Sequence, residues 1–235
     1  MKLYVCSDIH GYFDEFKKAL DEAGFEENNP EQLLIVCGDY FDRGKQPAEV
    51  MYYLMKLKNK VLIRGNHEDL LLECIEREYP CSHDYSNGTF DTICELGNAG
   101  EGRPFDECCL VAEQRVRSFI NQMVDYYETK NYIFVHSFIP VDTEDWRYAH
   151  SSQWEEARWS NPFKLIKQGL LPDKALIFGH WHCSTGWAEA EGRTEFGADA
   201  KFGPFYGDGY IAIDACTAHS GQVNVITLID ELLEG

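Results

Sequence analysis

Short runs of apolar and β-branched residues punctuate the chain at Leu3–Cys6, Leu33–Cys37, Val61–Arg64, Tyr132–His136, Ala175–Phe178, Tyr210–Ile213 and Val223–Ile229. Their length and composition predict strands. Between several of them apolar positions recur at helical spacing, at about 12–23, 46–58, 68–78, 110–129 and 163–169, which predicts amphipathic helices. The early part alternates β and α, so a layered α/β fold is expected, with polar loops following the strand ends. The later strands lie closer together and suit antiparallel pairs or a second sheet. Pro80–Pro104, with its Ser, Asn, Gly and Asp residues, has no clear period and reads as loop or cap. Gly192–Gly209 is a second long irregular segment, with Phe196, Phe202, Phe205, Tyr206 and Tyr210 in or beside it.

Length and composition narrow the picture. A chain of 235 residues holds one substantial domain, 1–235, with a cap or loop insertion near 80–130. The formal net charge of -19 argues against a nucleic-acid partner, because tracking phosphates requires Lys and Arg to replace counterions. Nine scattered cysteines form no CxxC pair, and Cys6, Cys37 and Cys216 sit in apolar strand-like surroundings; a reducing, cytoplasmic setting is expected. Met1 leads directly into a strand-like run, and no apolar stretch approaches 18 residues, so neither secretion nor a membrane span is expected.

Polar clusters follow the strand-like runs, which gathers functional side chains at one edge of an α/β sheet. They are SDIHG (7–11), GDYFDRG (38–44), RGNHE (64–68), and His136, His180 and His182 in VHSF and FGHWH. Together they supply Asp8, His10, Asp39, Asn66, His136, His180 and His182, a mixed oxygen and imidazole set without thiolate, suited to Mn, Fe or Zn. Asp39 is the candidate bridge between two cations, which would balance part of the negative charge. Any one of these histidines is more simply a core or surface residue. Their combination in this order is what singles out a site.

SDIHG, GDYFDRG and IRGNHE resemble the three N-terminal signatures of the phosphoprotein phosphatase (serine/threonine protein phosphatase) family, bacterial and phage type, within the calcineurin-like metallophosphoesterase superfamily. The resemblance implies a four-layer α/β/β/α sandwich of two mixed β-sheets with flanking helices. It implies two divalent metal ions, Mn²⁺ foremost, with Asp8 and His10 on the first, Asp39 bridging, and Asn66, His136 and His180 on the second. GHWH also matches the superfamily's GHxH, whose second histidine, here His182, would join the first metal. A hydroxide bridging the metals would attack phosphorus in line, Arg43 would grip two phosphate oxygens, and His67, oriented by Asp42, would protonate the leaving group. A second phosphate-binding arginine is expected after the His136 block: Arg158 is the candidate and Arg147 the alternative. Asn87, in SNGT, resembles a family Asn-Gly-Gly stretch too briefly to carry a role.

These features imply a phosphomonoesterase acting on phosphoserine, phosphothreonine or phosphotyrosine in proteins, or on small phosphoesters. A dinucleoside polyphosphate hydrolase, or another nucleotide phosphoesterase, is the alternative. Such relatives often lack the second Asp of GDxxDRG, which is Asp42 here. A non-catalytic phosphate-binding scaffold is a third reading, and the full set of ligands and acid speaks against it. His83, His150 and His219 read as ordinary polar residues, and the aromatics at 196–210 as core.

Overall fold

The computed structural model describes residues 1–98, 100 and 102–233. In chain order the elements are β1 (Lys2–Cys6), α1 (Phe13–Ala23), β2 (Gln32–Cys37), α2 (Pro47–Lys56), β3 (Lys60–Ile63), α3 (Asn66–Arg77), α4 (Ser82–Asn87), α5 (Thr89–Leu96) and α6 (Phe105–Ile120). They continue with β4 (Tyr126–Glu128), β5 (Tyr132–Val135), a 3₁₀ turn at Trp146–Tyr148, α7 (Ser151–Arg158), α8 (Pro162–Lys167), β6 (Ala175–Phe178), α9 (Cys183–Glu191), β7 (Phe205–Gly207), β8 (Tyr210–Ala212), α10 (Thr217–Ser220) and β9 (Ile226–Ile229).

Strand alternation explains the layering. Successive side chains of a strand point to opposite faces, and in β1 and β2 both faces are apolar. Leu3, Val5, Leu33, Ile35 and Cys37 pack with Phe134, Ile177 and Ile211 from the other sheet, forming the seam between the sheets. Tyr4, Cys6, Leu34 and Val36 point the other way, against Phe16, Val50, Leu54, Leu71, Ile93 and Phe119 of the first helical layer. On the second sheet Ile133, Val135, Leu176, Phe178 and Ala212 face outward onto Trp154, Phe163 and Cys183 of the other helical layer. The result is the expected α/β/β/α sandwich. Burying each Leu, Ile, Val or Phe is worth roughly 1.5–3 kcal/mol, so the central strands need covering on both faces.

Both sheets are mixed. The first runs β3-β2-β1-β9, with β1 parallel to β2, β2 parallel to β3 and β9 antiparallel to β1; the second runs β4-β5-β6-β8-β7, with β5, β6 and β8 parallel and both edge strands antiparallel. The parallel strands β1, β2, β3 and β5, β6, β8 end on one common edge of the sandwich, where their loops meet.

Several expectations are corrected. The segment read as irregular at 80–104 folds largely into α4 and α5, separated by Gly88 at φ +86°, which ends one helix and starts the next. Ala99 and Glu101 of that stretch, like Glu234 and Gly235 at the end of the chain, lie outside the described residues. The helix expected over 110–129 runs instead over α6 and stops at Ile120; beyond it Tyr126 and Tyr127 pair with Val135 and Phe134 as strand β4. Aromatic residues fit a half-covered pleated edge, and this pairing overrides the apparent helical rhythm. Helices α7 and α9, not expected from the sequence, are short and lack a strong apolar stripe.

Candidate active site

The strand-end loops hold their side chains on unusual backbone. Asp8, His10, Asp39, Asp42, Arg43, His180 and Cys216 all have positive φ, between +50° and +71°; among the described non-glycine residues only Glu78 and Asn98 share this property elsewhere. Each such residue costs roughly 1–3 kcal/mol and persists only when its surroundings over-determine it. Here backbone hydrogen bonds supply the constraint. The N–H groups of Asp8, His10 and Gly11 donate to the carbonyls of Gly38, Asp39 and Tyr40 at 2.9–3.0 Å, zipping the loops after β1 and β2 together. Glycine is required where two loops touch: a Cβ at Gly65 would collide with Asp39, and one at Gly179 with the Asp8 carboxylate.

Glu68, buried at 0% exposure, ties the second loop to α3. Its carboxylate accepts N–H bonds from Gly65 at 2.8 Å, Asp39 at 3.1 Å and Tyr40 at 3.0 Å. Glu68 lies inside RGNHE, and its role is not evident in the sequence because two of its partners, Asp39 and Tyr40, lie 29 and 28 positions away.

Asp39 is central. One carboxylate oxygen, Oδ2, lies 3.6 Å from His10 Nε2 and 3.9 Å from His67 Nε2; the other, Oδ1, lies 3.4 Å from His136 Nε2. Two groups that could hold a metal therefore share it, His10–Asp39–His67 and Asp39–His136–His180. Asn66 Oδ1 sits 2.8 Å from His136 Nε2 and 3.0 Å from His180 Nδ1. Asp8 stands 4.0 Å from His10 Nε2 and accepts from the His180 N–H at 3.0 Å. The far nitrogens of His10 and His136 are each held by a backbone carbonyl, Phe41 and Cys37, at 2.9 Å, so that the free nitrogens face the centre.

Electrostatics fit the same arrangement. Burial, then the charges of Asp214 and Asp39, push Asp8 well above the usual carboxylate range; burial also pushes Asp39 up to about 6. Burial first, then neighbouring histidines, holds His10 and His136 well below the ordinary imidazole value and His180 down at about 4. Crowded carboxylates beside neutral imidazoles and an amide oxygen are a donor set that divalent cations satisfy. The residues present fit a dinuclear metal centre.

His67 differs from the others. Its Nδ1 lies 2.8 Å from Asp42 Oδ2. Burial alone would lower its pKa, but the Asp39 charge, followed by the Asp42 hydrogen bond and charge, holds it above the ordinary value. Of the two metal-capable groupings, the one naming His67 thus includes a ring already committed to a carboxylate at one nitrogen.

The cleft over this floor has a volume of about 200 Å³ and is lined by Asp8, His10, Asp39, Arg43, Asn66, His67, His180 and His182 together with Leu70, His83, Asn87, Trp159, Asp214 and Cys216. Arg43 is exposed and reaches it, but Arg158 is not among the lining residues. The expected phosphate contact for Arg158 is corrected: its Nε donates to Asp69 and its Nη1 to Asp125, both at 2.8 Å, and only 6% of it is exposed. Arg147 is bound bidentately to Glu128 at 2.8–2.9 Å. His182 lines the cleft with its ring drawn aside, Nδ1 3.0 Å from Glu195 and Nε2 3.9 Å from Asp214. Against burial, Cys216, Asp214 and Glu195 push it up to about 9.

Other lining residues were missed or undervalued. Asp214 follows β8, is buried and raises Asp8; the strand before it was the available signal. His83, read as an ordinary polar residue, stands on the rim 2.9 Å from the Asn87 amide. Leu70 and Trp159 give the cleft its larger apolar surfaces.

Comparison with known proteins bears on the fold and the family. A symmetrical bis(5'-nucleosyl)-tetraphosphatase from Buchnera aphidicola is 39% identical over 69 residues, 29% of this chain and 24% of that protein, so the match spans about a quarter of the relative's length. A cold-active protein-tyrosine phosphatase from a psychrophilic Shewanella shares the fold with a TM-score of 0.57 at 15% identity, over 97% of this chain and 75% of that one. A protein serine/threonine phosphatase from Saccharomyces cerevisiae does so with a TM-score of 0.51 at 15% identity, over 100% and 81%. No helix among the described residues is long and apolar enough to cross a membrane. The family model for calcineurin-like phosphoesterases matches residues 1–184, and the chain accordingly belongs to that family of metallophosphoesterases, hydrolases with a dinuclear divalent metal centre.

Proposed function

We propose that the protein is a metal-dependent phosphomonoesterase that removes phosphate from phosphoserine, phosphothreonine or phosphotyrosine side chains. The observation that carries this reading is the buried His67–Asp42 pair, 2.8 Å apart. An alkoxide or phenoxide leaving group is a strong base and needs a proton as the P–O bond breaks, whereas a nucleoside polyphosphate leaves as a weak base and needs little help. An imidazole bonded to Asp42 through Nδ1, with its Nε2 3.9 Å from Asp39, is placed to answer the first requirement.

In this reading Asp8, His10 and Asp39 would hold one metal ion and Asp39, Asn66, His136 and His180 the other, with Mn²⁺ the first to test. When bound, the metals supply Lewis-acid polarisation of the phosphoryl group and lower the pKa of water. The rest belongs to the chain. Arg43 presents its planar fork to two phosphoryl oxygens, a geometry that Lys does not reproduce. His67 Nε2, the nitrogen not bonded to Asp42, faces the leaving oxygen and gives up its proton. The cleft of about 200 Å³ suits a phosphoryl group with a short stretch of its ester. Sites that envelop whole small molecules run from roughly 300 to 1,000 Å³.

The second reading, a dinucleoside polyphosphate hydrolase, is favoured by the Buchnera match over its 69 residues. Chelator-stripped protein reloaded with Mn²⁺, assayed on phosphoserine and phosphotyrosine peptides and on a dinucleoside tetraphosphate, separates the two. Release of inorganic phosphate from the peptides is expected. Rapid symmetrical cleavage of the tetraphosphate with no peptide turnover would overturn the proposal.

A further inference from the structure

We infer that Thr89 and Thr92, at the start of α5, are positioning residues for the proton-donating pair His67–Asp42; this rests on the phosphomonoesterase reading above. Asp42 and Arg43 stand consecutively at φ +71° and +62°, so their loop needs outside support. The support comes from the segment that joins α4 to α5. The Asp42 N–H donates to Thr92 Oγ1 at 3.1 Å, and the Arg43 N–H donates to the Asn87 carbonyl at 3.0 Å. Gly88 lets the junction approach closely, since a Cβ there would stand 2.5 Å from the Arg43 nitrogen.

The carboxylate itself depends on the same segment. Asp42 Oδ2 accepts from His67 Nδ1–H and from the Thr89 hydroxyl, each at 2.8 Å. Its other oxygen, Oδ1, is buried and has no hydrogen-bond partner among the described residues. Thr89 is therefore the donor besides His67 that fixes the plane of this carboxylate, and that plane sets where the imidazole points. Thr89 and Thr92 are 0% and 1% exposed, an expensive place for hydroxyls that do no bonding.

The consequence is specific. As the P–O bond breaks, its electron pair stays on the leaving oxygen and the His67 Nε2 proton moves to that oxygen. His67 finishes neutral and still donates from Nδ1 to Asp42. A carboxylate free to swing mis-aims Nε2, and the loss grows with the basicity of the leaving group.

The test is kcat for phenyl phosphate against p-nitrophenyl phosphate, with Mn²⁺-reloaded wild type, Thr89→Val, Thr89→Ser, Thr92→Val and His67→Asn. Thr89→Val should lower turnover of phenyl phosphate roughly tenfold and that of p-nitrophenyl phosphate less than about twofold, a part of the 10²–10⁴ that a general acid supplies. Thr89→Ser should restore both. In metal-free ¹⁵N-labelled protein, the His67 Nδ1–H resonance should move in Thr89→Val and return in Thr89→Ser. Equal loss on both substrates, or no loss with an unmoved resonance, would overturn the inference. If Thr89→Val does not fold, Thr92→Val decides by the same selectivity. Should His67→Asn itself show no dependence on the leaving group, the general-acid reading fails, whatever Thr89 does.

Discussion

The floor of the cleft and its wall are built from different kinds of sequence. The floor is a set of turns placed just after strands, carrying Asp8, His10, Asp39 and His180 on strained backbone, with Asn66 at the start of α3 and His136 directly after β5. The wall, α4 and α5, is helical and holds Asp42 and Arg43 through Thr89, Thr92 and Asn87. Floor residues are fixed by the atoms they must present to one point. Wall residues are fixed only by what they hold up, so many sequences would serve. Mutations should therefore act on the floor through metal and turnover together, and on the wall through turnover or KM with the metals kept.

The largest effect is expected at Asp39, whose two oxygens face both metal groupings. Asp39→Asn should cut turnover by more than about 10³-fold, past the 10²–10³ typical of deleting one charge-stabilising donor, and should weaken metal uptake measured by elemental analysis. Retention of two tightly bound metals would show that Asp39 does not bridge. His67→Asn comes next, with a loss of roughly 10²–10⁴ in kcat and both metals retained; metal loss would move His67 from acid to ligand and join it to the floor.

Glu68 tests whether the floor's scaffold is as strict as its ligands. Glu68→Ala leaves three buried N–H groups without their acceptor. At roughly 1–3 kcal/mol for each unsatisfied group, stability in urea should fall by at least about 3 kcal/mol. A smaller loss would mean that the loops after β2 and β3 hold their shape unaided. On the rim the expected effect is milder: Trp159→Ala should raise KM for aryl phosphates severalfold at unchanged kcat, because the ring lines the cleft, edge-on to His180 at 6.4 Å between centroids, and touches no reacting atom.

The floor was legible because its chemistry demands particular atoms at turns after apolar runs, and both features are local. The alternation of strands and helices in the first part of the chain pointed to a layered α/β fold, while the arrangement of two sheets between two helical layers came from the family resemblance. The wall was not legible because α4 and α5 have 6 and 8 residues, too few for a period to stand out, and their buried Asp84, Thr89 and Thr92 look like loop residues until their partners are seen. Arg158 illustrates the same limit. As a charged residue near the right place it reads as a phosphate grip, yet its partners Asp69 and Asp125 lie 89 and 33 positions away along the chain. Nothing local distinguishes an arginine that binds substrate from one that braces two carboxylates.

Arg147 gives the quietest test of that distinction. It grips Glu128, which Lys174 also contacts at 2.8 Å, and these partners, Arg147 first, hold the Glu128 carboxyl down at about 2. Glu128 belongs to β4 and lines no part of the cleft. A carboxyl depressed in the folded state adds stability that is complete above its unfolded value of about 4.3 and is lost as pH falls through the folded value. The stability difference between wild type and Glu128→Gln should thus be constant above about pH 4.5 and shrink toward pH 2, with a size near the roughly 0–1 kcal/mol of surface ion pairs. Turnover at neutral pH should not change. If Glu128→Gln instead alters KM for phosphomonoesters, freeing Arg147 has reached the substrate, and the boundary drawn here between bracing and gripping arginines has to move.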